Sequence, residues 1–112
     1  MSYNLFLDDI REVSSVYPTA KTEAFIVVRS FEEFVSVIKE KGLPRFISFD
    51  NDLGVDSKGQ LLPDGYAASK WLVYDSGLDI KQLKFYVHSA NPVAAKQIDS
   101  LLNNYQAFLE SE

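Results

Sequence analysis

Two short apolar segments of this chain end in acidic residues, and this pattern strongly constrains how the chain can fold. The first segment, residues 4–9, reads as a buried strand that ends at Asp8 and Asp9, and the second, residues 46–49, leads into Asp50. If the two strands lie parallel and side by side, their carboxyl ends meet at one edge of a sheet, which is where open α/β folds place their ligands. The sequence therefore predicts a cluster of carboxylates at that edge.

The rest of the chain alternates between strand and helix patterns. Further strands are predicted at 24–28 and 83–87, and helices at 30–42, 64–74 and from Asn91 onward. Residues 10–22 are predicted to be irregular, since Pro18 opposes a helix through them, and residues 51–63 form a polar loop. Strands that alternate with helices favour a parallel sheet with right-handed crossovers, so all the strand ends share one edge.

Local signals define the predicted helices. Ser30 caps the first of them, with Glu33 at the capping-box position. The second is predicted to bury three residues and to close at Gly77; the three are Ala67, Trp71 and Leu72. Asn91 caps the last helix, whose apolar stripe consists of Ala94, Ile98, Leu101, Leu102, Tyr105 and Leu109. These faces are the predicted core.

Composition limits the class of protein. The 112 residues suit a single domain spanning 1–112, and no apolar stretch reaches the roughly 20 residues that a membrane span needs. The net charge of −5 disfavours binding to duplex nucleic acid. Without Cys, and with a single His, the chain has neither disulfides nor thiolate zinc sites, which fits a cytoplasmic location.

The acidic cluster predicts a divalent-cation site. Clustered carboxylates repel one another unless a cation or a proton neutralises them, and Mg²⁺ and Mn²⁺ prefer oxygen ligands. Asp8, Asp9 and Asp50 are the candidate metal ligands. The alternative is that these acids only form turns at strand ends, as Asp often does.

Three further residues are candidates for holding phosphate. Arg11 follows the acidic pair and can clamp a phosphate, or it can pair with the acids themselves. Ser89 and Asn91 lie at the start of the last helix, whose N-terminal N–H groups and dipole favour an anion. Their structural alternatives are an ordinary helix-start hydroxyl and a helix cap.

Three residues are candidates for catalysis. Asp50 is either a nucleophile that takes up a phosphoryl group or only a metal ligand. Asp52 is a second ligand, a general acid or base, or a simple loop residue. His88, the only His, is a candidate proton donor or phosphate contact, against the alternative of a purely structural role.

The joint pattern resembles the receiver domains of response regulators and, more closely, a family described as the cyclic-phosphate processing receiver domain. The resemblance rests on four runs of the sequence: Leu7-Asp8-Asp9-Ile10-Arg11, Phe49-Asp50-Asn51-Asp52-Leu53-Gly54, Asp64-Gly65-Tyr66 and His88-Ser89-Ala90-Asn91-Pro92. It implies a three-layer, flavodoxin-like sandwich around a parallel sheet of about four strands in the order 2-1-3-4. The fifth strand of ordinary receivers and its Lys have no counterpart in the pattern.

The resemblance and the residues together lead to two functional hypotheses. The first is a metal-dependent phosphoesterase-like domain that acts on a phosphorylated small molecule or nucleotide end, with a cyclic phosphate as one candidate. The second is a degenerate receiver that acts as a regulatory or protein-interaction module, with Asp50 as a candidate phosphorylation site. Neither hypothesis involves a membrane or duplex nucleic acid.

Overall fold

The computed structural model describes residues 3–19 and 24–111, and the four predicted strands and three predicted helices are confirmed there in the predicted order, with one additional short helix between the first two strands. The strands are β1 (Asn4–Leu7), β2 (Phe25–Val28), β3 (Phe46–Phe49) and β4 (Lys84–Val87). The helices are α1 (Val13–Val16), α2 (Phe31–Lys41), α3 (Gly65–Tyr74) and α4 (Pro92–Glu110).

The four strands form one parallel sheet in the order β2-β1-β3-β4, as predicted, and the fold is receiver-like. The register aligns the last residues of the strands. Leu7 pairs with Val28 on one side and with Phe49 on the other, and Phe49 pairs with Val87. Because the strands are parallel and in this register, the residues that follow them emerge at the same edge of the sheet.

One side of the sheet, here called the first face, carries the main hydrophobic core. It includes Leu5, Leu7 and Phe49, none of which is exposed to solvent. The three longer helices pack against these strand residues through a shared apolar cluster, which includes Phe34, Ile38, Ala68, Leu72, Ile98 and Leu102. Burial of this surface is the principal source of stability for the fold.

The opposite side, here called the second face, is built differently. Its strand residues alternate with those of the first face and include Phe6, Ser48 and Tyr86. Among the described residues, it is covered by the one-turn helix α1 and by Tyr17, whose ring stacks on Phe25 at 5.7 Å between centroids. The third layer of the predicted sandwich is therefore thin, and Tyr86 remains 55% exposed.

Two helix predictions need correction. Residues 10–22 were expected to be irregular, but Val13–Val16 form a helical turn because the buried Val13 anchors it; residues 20–22 of that segment lie outside the described residues. In α3, Ala68 is buried whereas Ala67 and Trp71 are half-buried, because nearly every residue of this helix is small or apolar and several faces could have packed inward. The helix is capped by Asp75, before Gly77.

The predicted caps of the other two long helices are confirmed. Ser30 accepts a hydrogen bond from the backbone N–H of Glu33, and Asn91 accepts hydrogen bonds from the N–H groups of Val93 and Ala94. Within residues 3–19 and 24–111, no helix is both long enough and apolar enough to cross a membrane.

Candidate metal and phosphate site

Three of the predicted site residues stand directly after three neighbouring strands, and the backbone fixes them there. The N–H of Asp8 donates to the carbonyl of Val28, that of Asp50 to Leu7, and that of His88 to Phe49. These bonds extend the sheet by one residue beyond the end of each strand. Since side chains alternate along extended backbone, all three side chains point toward the second face, on the same side as Phe6 and Ser48.

Asp8 is fully buried, and its carboxylate accepts several hydrogen bonds. Oδ1 accepts from the backbone N–H groups of Ile10 and Arg11, at 3.0 and 2.8 Å, and Oδ2 lies 2.9 Å from Nε2 of His88. Burial alone would raise the pKa of Asp8, but the two backbone donors and His88 outweigh it and hold the pKa below its ordinary value. Asp8 is therefore ionised at neutral pH.

Asp50 is in a less favourable electrostatic environment. Its Oδ1 accepts one hydrogen bond, at 2.9 Å from the backbone N–H of Asn51, and lies 3.9 Å from Nη1 of Arg11. Burial and the neighbouring charge of Asp8 raise the pKa of Asp50 from 3.8 to about 6. The negative charge on this pair of carboxylates is thus only partly compensated within the protein.

The two carboxylates and His88 form a compact set of ligand atoms. One atom each from Asp8, Asp50 and His88 lies within 4.8 Å of the others, and within the described part of the chain this is the set of acidic and His residues close enough to hold a metal ion. Asp9, the third predicted ligand, is not part of this set. It lies at the cavity beside it, where its Oδ2 comes close to Gly54.

This cavity, called the acid pocket here, has a volume of about 290 Å³. Its lining comes from the segments that follow β1, β3 and β4. These residues are Asp8, Asp9, Ile10, Arg11, Asp50, Asp52, Gly54 and Ala90. Asp52 is exposed at this pocket, with its Oδ1 3.3 Å from the side-chain nitrogen of Asn51. The predicted convergence of the acids thus produces a cavity open to solvent.

His88 belongs to a buried chain of hydrogen bonds that crosses the second face. The hydroxyl of Tyr17 lies 2.8 Å from Oγ of Ser48, which lies 2.6 Å from Nδ1 of His88, whose Nε2 reaches Asp8. The carboxylate of Asp8 can only accept, so Nε2 of His88 carries the proton and Nδ1 accepts from Ser48. Each of the three hydrogen bonds from Tyr17 to Asp8 is therefore donated in the direction of Asp8.

The surroundings of His88 fix its orientation and its charge. Its ring stacks on Phe6 at 4.8 Å with an interplanar angle of 4°, and its side chain is only 2% exposed. Burial lowers the pKa of His88 even though Asp8 acts in the opposite direction, so the imidazole is neutral at pH 7. His88 thus orients the carboxylate of Asp8, and it also lines a cavity beside Arg11.

Two arginines position the acidic loop. Nη1 of Arg11 lies 3.4 Å from Oδ2 of Asp8, so Arg11 pairs with both buried acids at the wall of the acid pocket. Arg29, directly after β2, donates to the backbone carbonyls of Asp8 and Arg11 at 3.1 and 2.6 Å. Arg29 thereby fixes the path of the loop, while the half-exposed Arg11 keeps its guanidinium at the cavity.

The start of α3 packs directly against the backbone of Asp50. A Cβ atom on Gly65 would lie 1.9 Å from the carbonyl oxygen of Asp50, a distance that no side chain can tolerate. The side-chain oxygen of Asn51 accepts from the N–H of Tyr66 at 3.1 Å, and the backbone carbonyl of Asn51 accepts from Gly65. Asn51 and Gly65 thus hold the loop that carries Asp50.

The two phosphate candidates near α4 are placed differently from Arg11. Ser89 accepts a hydrogen bond from the N–H of Asn91 at 3.1 Å and lies at a second cavity beside Arg11, not at the acid pocket. The side-chain oxygen of Asn91 is engaged in capping α4. Among the described residues that line the two cavities, Ser89 and Ala90 are present and Asn91 is absent.

Tyr17, Ser48 and Arg29 were not recognised as candidates from the sequence. Ser48 gave a usable signal, since it is a lone hydroxyl in an otherwise apolar strand. Arg29 also gave one, because it follows β2 at the edge where the acids follow their own strands. Tyr17 gave none, since its position depends on how the segment after α1 folds back over the sheet.

The parallel sheet in the order 2-1-3-4, with acids after its two central strands, defines a receiver-type α/β domain. The family model of the cyclic-phosphate processing receiver domain matches residues 3–104, and the chain belongs to this family. A solved chain described as the trimeric coiled coil of yeast Spc42 fused to another structure is similar in fold, with a TM-score of 0.57 and 14% identity over 98% of this chain and 78% of that one. No curated protein matches the chain.

Proposed function

We propose that the acid pocket binds a divalent cation together with a phosphate group, and that the domain is a metal-dependent phosphoesterase. The substrate would be a phosphorylated small molecule or nucleotide end, with a cyclic phosphate as the leading candidate. One observation carries this proposal: Asp8 and Asp50, with their ligand atoms within 4.8 Å, share a cavity with Arg11 in a family described as cyclic-phosphate processing.

The residues present fit Mg²⁺ or Mn²⁺. The paired carboxylates supply hard oxygen ligands; burial and, after it, the charge of Asp8 raise the pKa of Asp50, and a bound cation would oppose both effects. Asp8 and Asp50 would hold the ion, with Asp9 reachable at the edge of the pocket. When bound, such an ion neutralises phosphate charge and polarises the phosphoryl oxygens.

The other side chains at the acid pocket would bind the phosphate and transfer protons. The guanidinium of Arg11, now paired with the acids, would turn to the phosphate oxygens once a cation replaces it. Water would attack phosphorus as one phosphorus–oxygen ester bond breaks, and the proton that the water loses would pass to the leaving oxygen. If Asp50 attacked first, water would then hydrolyse the bond between Asp50 and phosphorus and return the proton. Asp52 is better placed than His88 to give that proton, because Asp52 is exposed at the pocket and the side chain of His88 is 2% exposed.

A direct test is hydrolysis of a panel of cyclic phosphates and phosphomonoesters with added Mg²⁺ or Mn²⁺. We expect turnover that a chelator abolishes and that Asp50→Asn reduces by about 100-fold or more, which is the usual scale for losing a group that stabilises developing charge. Asp99→Asn, an exposed acid on α4, is the matched control and should retain full activity. Metal-dependent hydrolysis that survives in Asp50→Asn would contradict the assignment.

A regulatory role is the second candidate, because Asp50 follows β3, where receivers carry their phosphorylated Asp. Incubation with a small phosphodonor followed by intact mass analysis separates the two candidates. A stable phosphoryl group on the wild type but not on Asp50→Asn favours the regulatory module, whereas turnover without stable modification favours the enzyme. A pure protein-interaction module predicts neither result.

A further inference from the structure

A second cavity adjoins the acid pocket on the other side of Arg11. Its volume is about 400 Å³, within the usual range for small-molecule sites. Its walls come from α1 and from the end of β4, and include Ser15, Val16, Tyr86 and Ser89. Because Arg11 lines both cavities, a ligand in the second cavity can place its phosphate against the guanidinium of Arg11, next to the acids.

The most unusual feature of this second cavity is an exposed aromatic ring. Tyr86 projects from β4 on the second face and is 55% exposed. The ring is held by an edge contact with Tyr17, at 6.5 Å between centroids and an interplanar angle of 67°. Since more than half of Tyr86 is exposed, its ring is accessible to a flat ligand group.

The two hydroxyls at this cavity offer complementary hydrogen bonds. Oγ of Ser15 donates to the carbonyl of Glu12 at 2.7 Å, so its lone pairs remain to accept from a ligand. Oγ of Ser89 accepts from the N–H of Asn91, so its own hydrogen remains to donate. An aromatic face with one donor and one acceptor suits a polar, planar ligand better than a purely apolar one.

We propose that this second cavity is the binding site for the nucleoside part of the phosphorylated ligand, with the base stacked on Tyr86 and the phosphate directed to Arg11 and the acids. The inference rests on the proposed function and narrows the substrate to a nucleoside phosphate. Any nucleic-acid base can stack on an aromatic side chain, so this site does not require a particular base.

The test is calorimetric titration of the protein, in the presence of Mg²⁺, with adenosine 3′-monophosphate and with inorganic phosphate. We expect the nucleotide to bind more tightly than inorganic phosphate, and Tyr86→Ala to weaken nucleotide binding roughly 5- to 100-fold while leaving phosphate binding unchanged. Tyr86→Phe should retain the tight binding, because it keeps the ring. Tyr74→Ala is the matched control, since Tyr74 is also exposed but lies at the end of α3.

The failure of this inference and the failure of the proposed function give different results. Equal affinities for nucleotide and phosphate, no nucleotide binding, or an unchanged nucleotide affinity in Tyr86→Ala would overturn the nucleoside site. The function itself fails if phosphate binding is independent of Mg²⁺ and of Asp50→Asn.

The same nucleoside chemistry could be presented by a free nucleotide or by the end of an RNA strand. Titration with a short oligoribonucleotide that carries the same 3′-phosphate distinguishes these two sources. Tighter binding than the mononucleotide indicates an RNA end. Equal or weaker binding indicates a free nucleotide, which the net charge of −5 favours because it repels a longer polyanion. In both cases, binding should depend on stacking of the base on Tyr86.

Discussion

The two faces of one sheet perform different tasks in this protein. The first face lies under three helices, and its strand residues, such as Phe49, belong to a continuous apolar core. Within the described residues, the second face lies under the single turn of α1 and under Tyr17, and it carries Ser48, the stack of Phe6 on His88 and the partly exposed Tyr86. Alternate residues of the same strands therefore belong to the main apolar core on one side and contribute to the candidate site on the other.

The largest expected change in the free energy of unfolding tests this difference between the two faces. Phe49→Ala should lower the free energy of unfolding by about 3–5 kcal/mol, because it leaves a cavity in the core at a residue with no solvent exposure. Tyr86→Ala on the second face should change it by less than about 1 kcal/mol, since more than half of that side chain is exposed. Urea unfolding measures both, and equal losses would break the comparison.

Gly65→Ala tests the contact between α3, which packs on the first face, and the backbone of Asp50 at the candidate site. The added Cβ would meet the Asp50 carbonyl oxygen at 1.9 Å, so the helix or the loop must shift. We expect a loss of about 1–3 kcal/mol in urea unfolding. Tyr74→Ala, an exposed site on the same helix, should stay within about 0.5 kcal/mol, and an equally small change in Gly65→Ala would contradict the packing described here.

Asp50→Asn should stabilise the metal-free protein in a pH-dependent way. The pKa of Asp50 is raised to about 6, so the folded state favours protonated Asp50, and this stabilisation is present below about pH 4 and lost as the pH rises through 6. Asn mimics the uncharged form. We therefore expect a gain of about 1–3 kcal/mol at pH 7.5 and little change at pH 4.

Urea unfolding of chelator-treated protein at the two pH values measures this effect. Asp99→Asn, which changes an exposed acid on α4, is the control and should leave the stability at pH 7.5 within about 0.5 kcal/mol of the wild type. If Asp50→Asn lowered stability at pH 7.5, the charge of Asp50 would be well compensated in the folded protein, and the argument for a cation would lose its main electrostatic support.

Ser48→Ala should reduce the free energy of unfolding by a smaller amount, and it tests the hydrogen bonds on the second face. It removes the hydroxyl that links Tyr17 to His88, leaving two polar groups without their partner, at a cost of about 1–2 kcal/mol. Nitrogen NMR of the imidazole should find the proton on Nε2 in the wild type. A proton on Nδ1 would contradict the direction assigned to the chain. Ser100→Ala, exposed on α4, is the control.

The convergence of Asp8 and Asp50 could be predicted because it follows from backbone rules. Parallel strands in register place the residues after Leu7 and Phe49 next to each other, whatever the details of packing. The helix caps at Ser30 and Asn91 could be predicted for a similar reason, since they depend only on neighbouring residues.

The individual side-chain hydrogen bonds on the second face could not be predicted. The chain from Tyr17 through Ser48 to His88 depends on the path of the segment after α1, which carries few local signals. The inward face of α3 was also ambiguous, because neighbouring Ala67 and Ala68 are chemically identical and only packing against the other helices selects between them.

Thermal unfolding against Mg²⁺, in the presence of inorganic phosphate, tests the central claim most directly. A ligand that binds only the folded state raises stability by mass action, and each kcal/mol raises the Tm of a domain of this size by roughly 4–8 °C. We predict a rise for the wild type and for Asp99→Asn that is lost in Asp50→Asn. No rise with either Mg²⁺ or Mn²⁺, or an equal rise in Asp50→Asn, would contradict a cation site at Asp8 and Asp50.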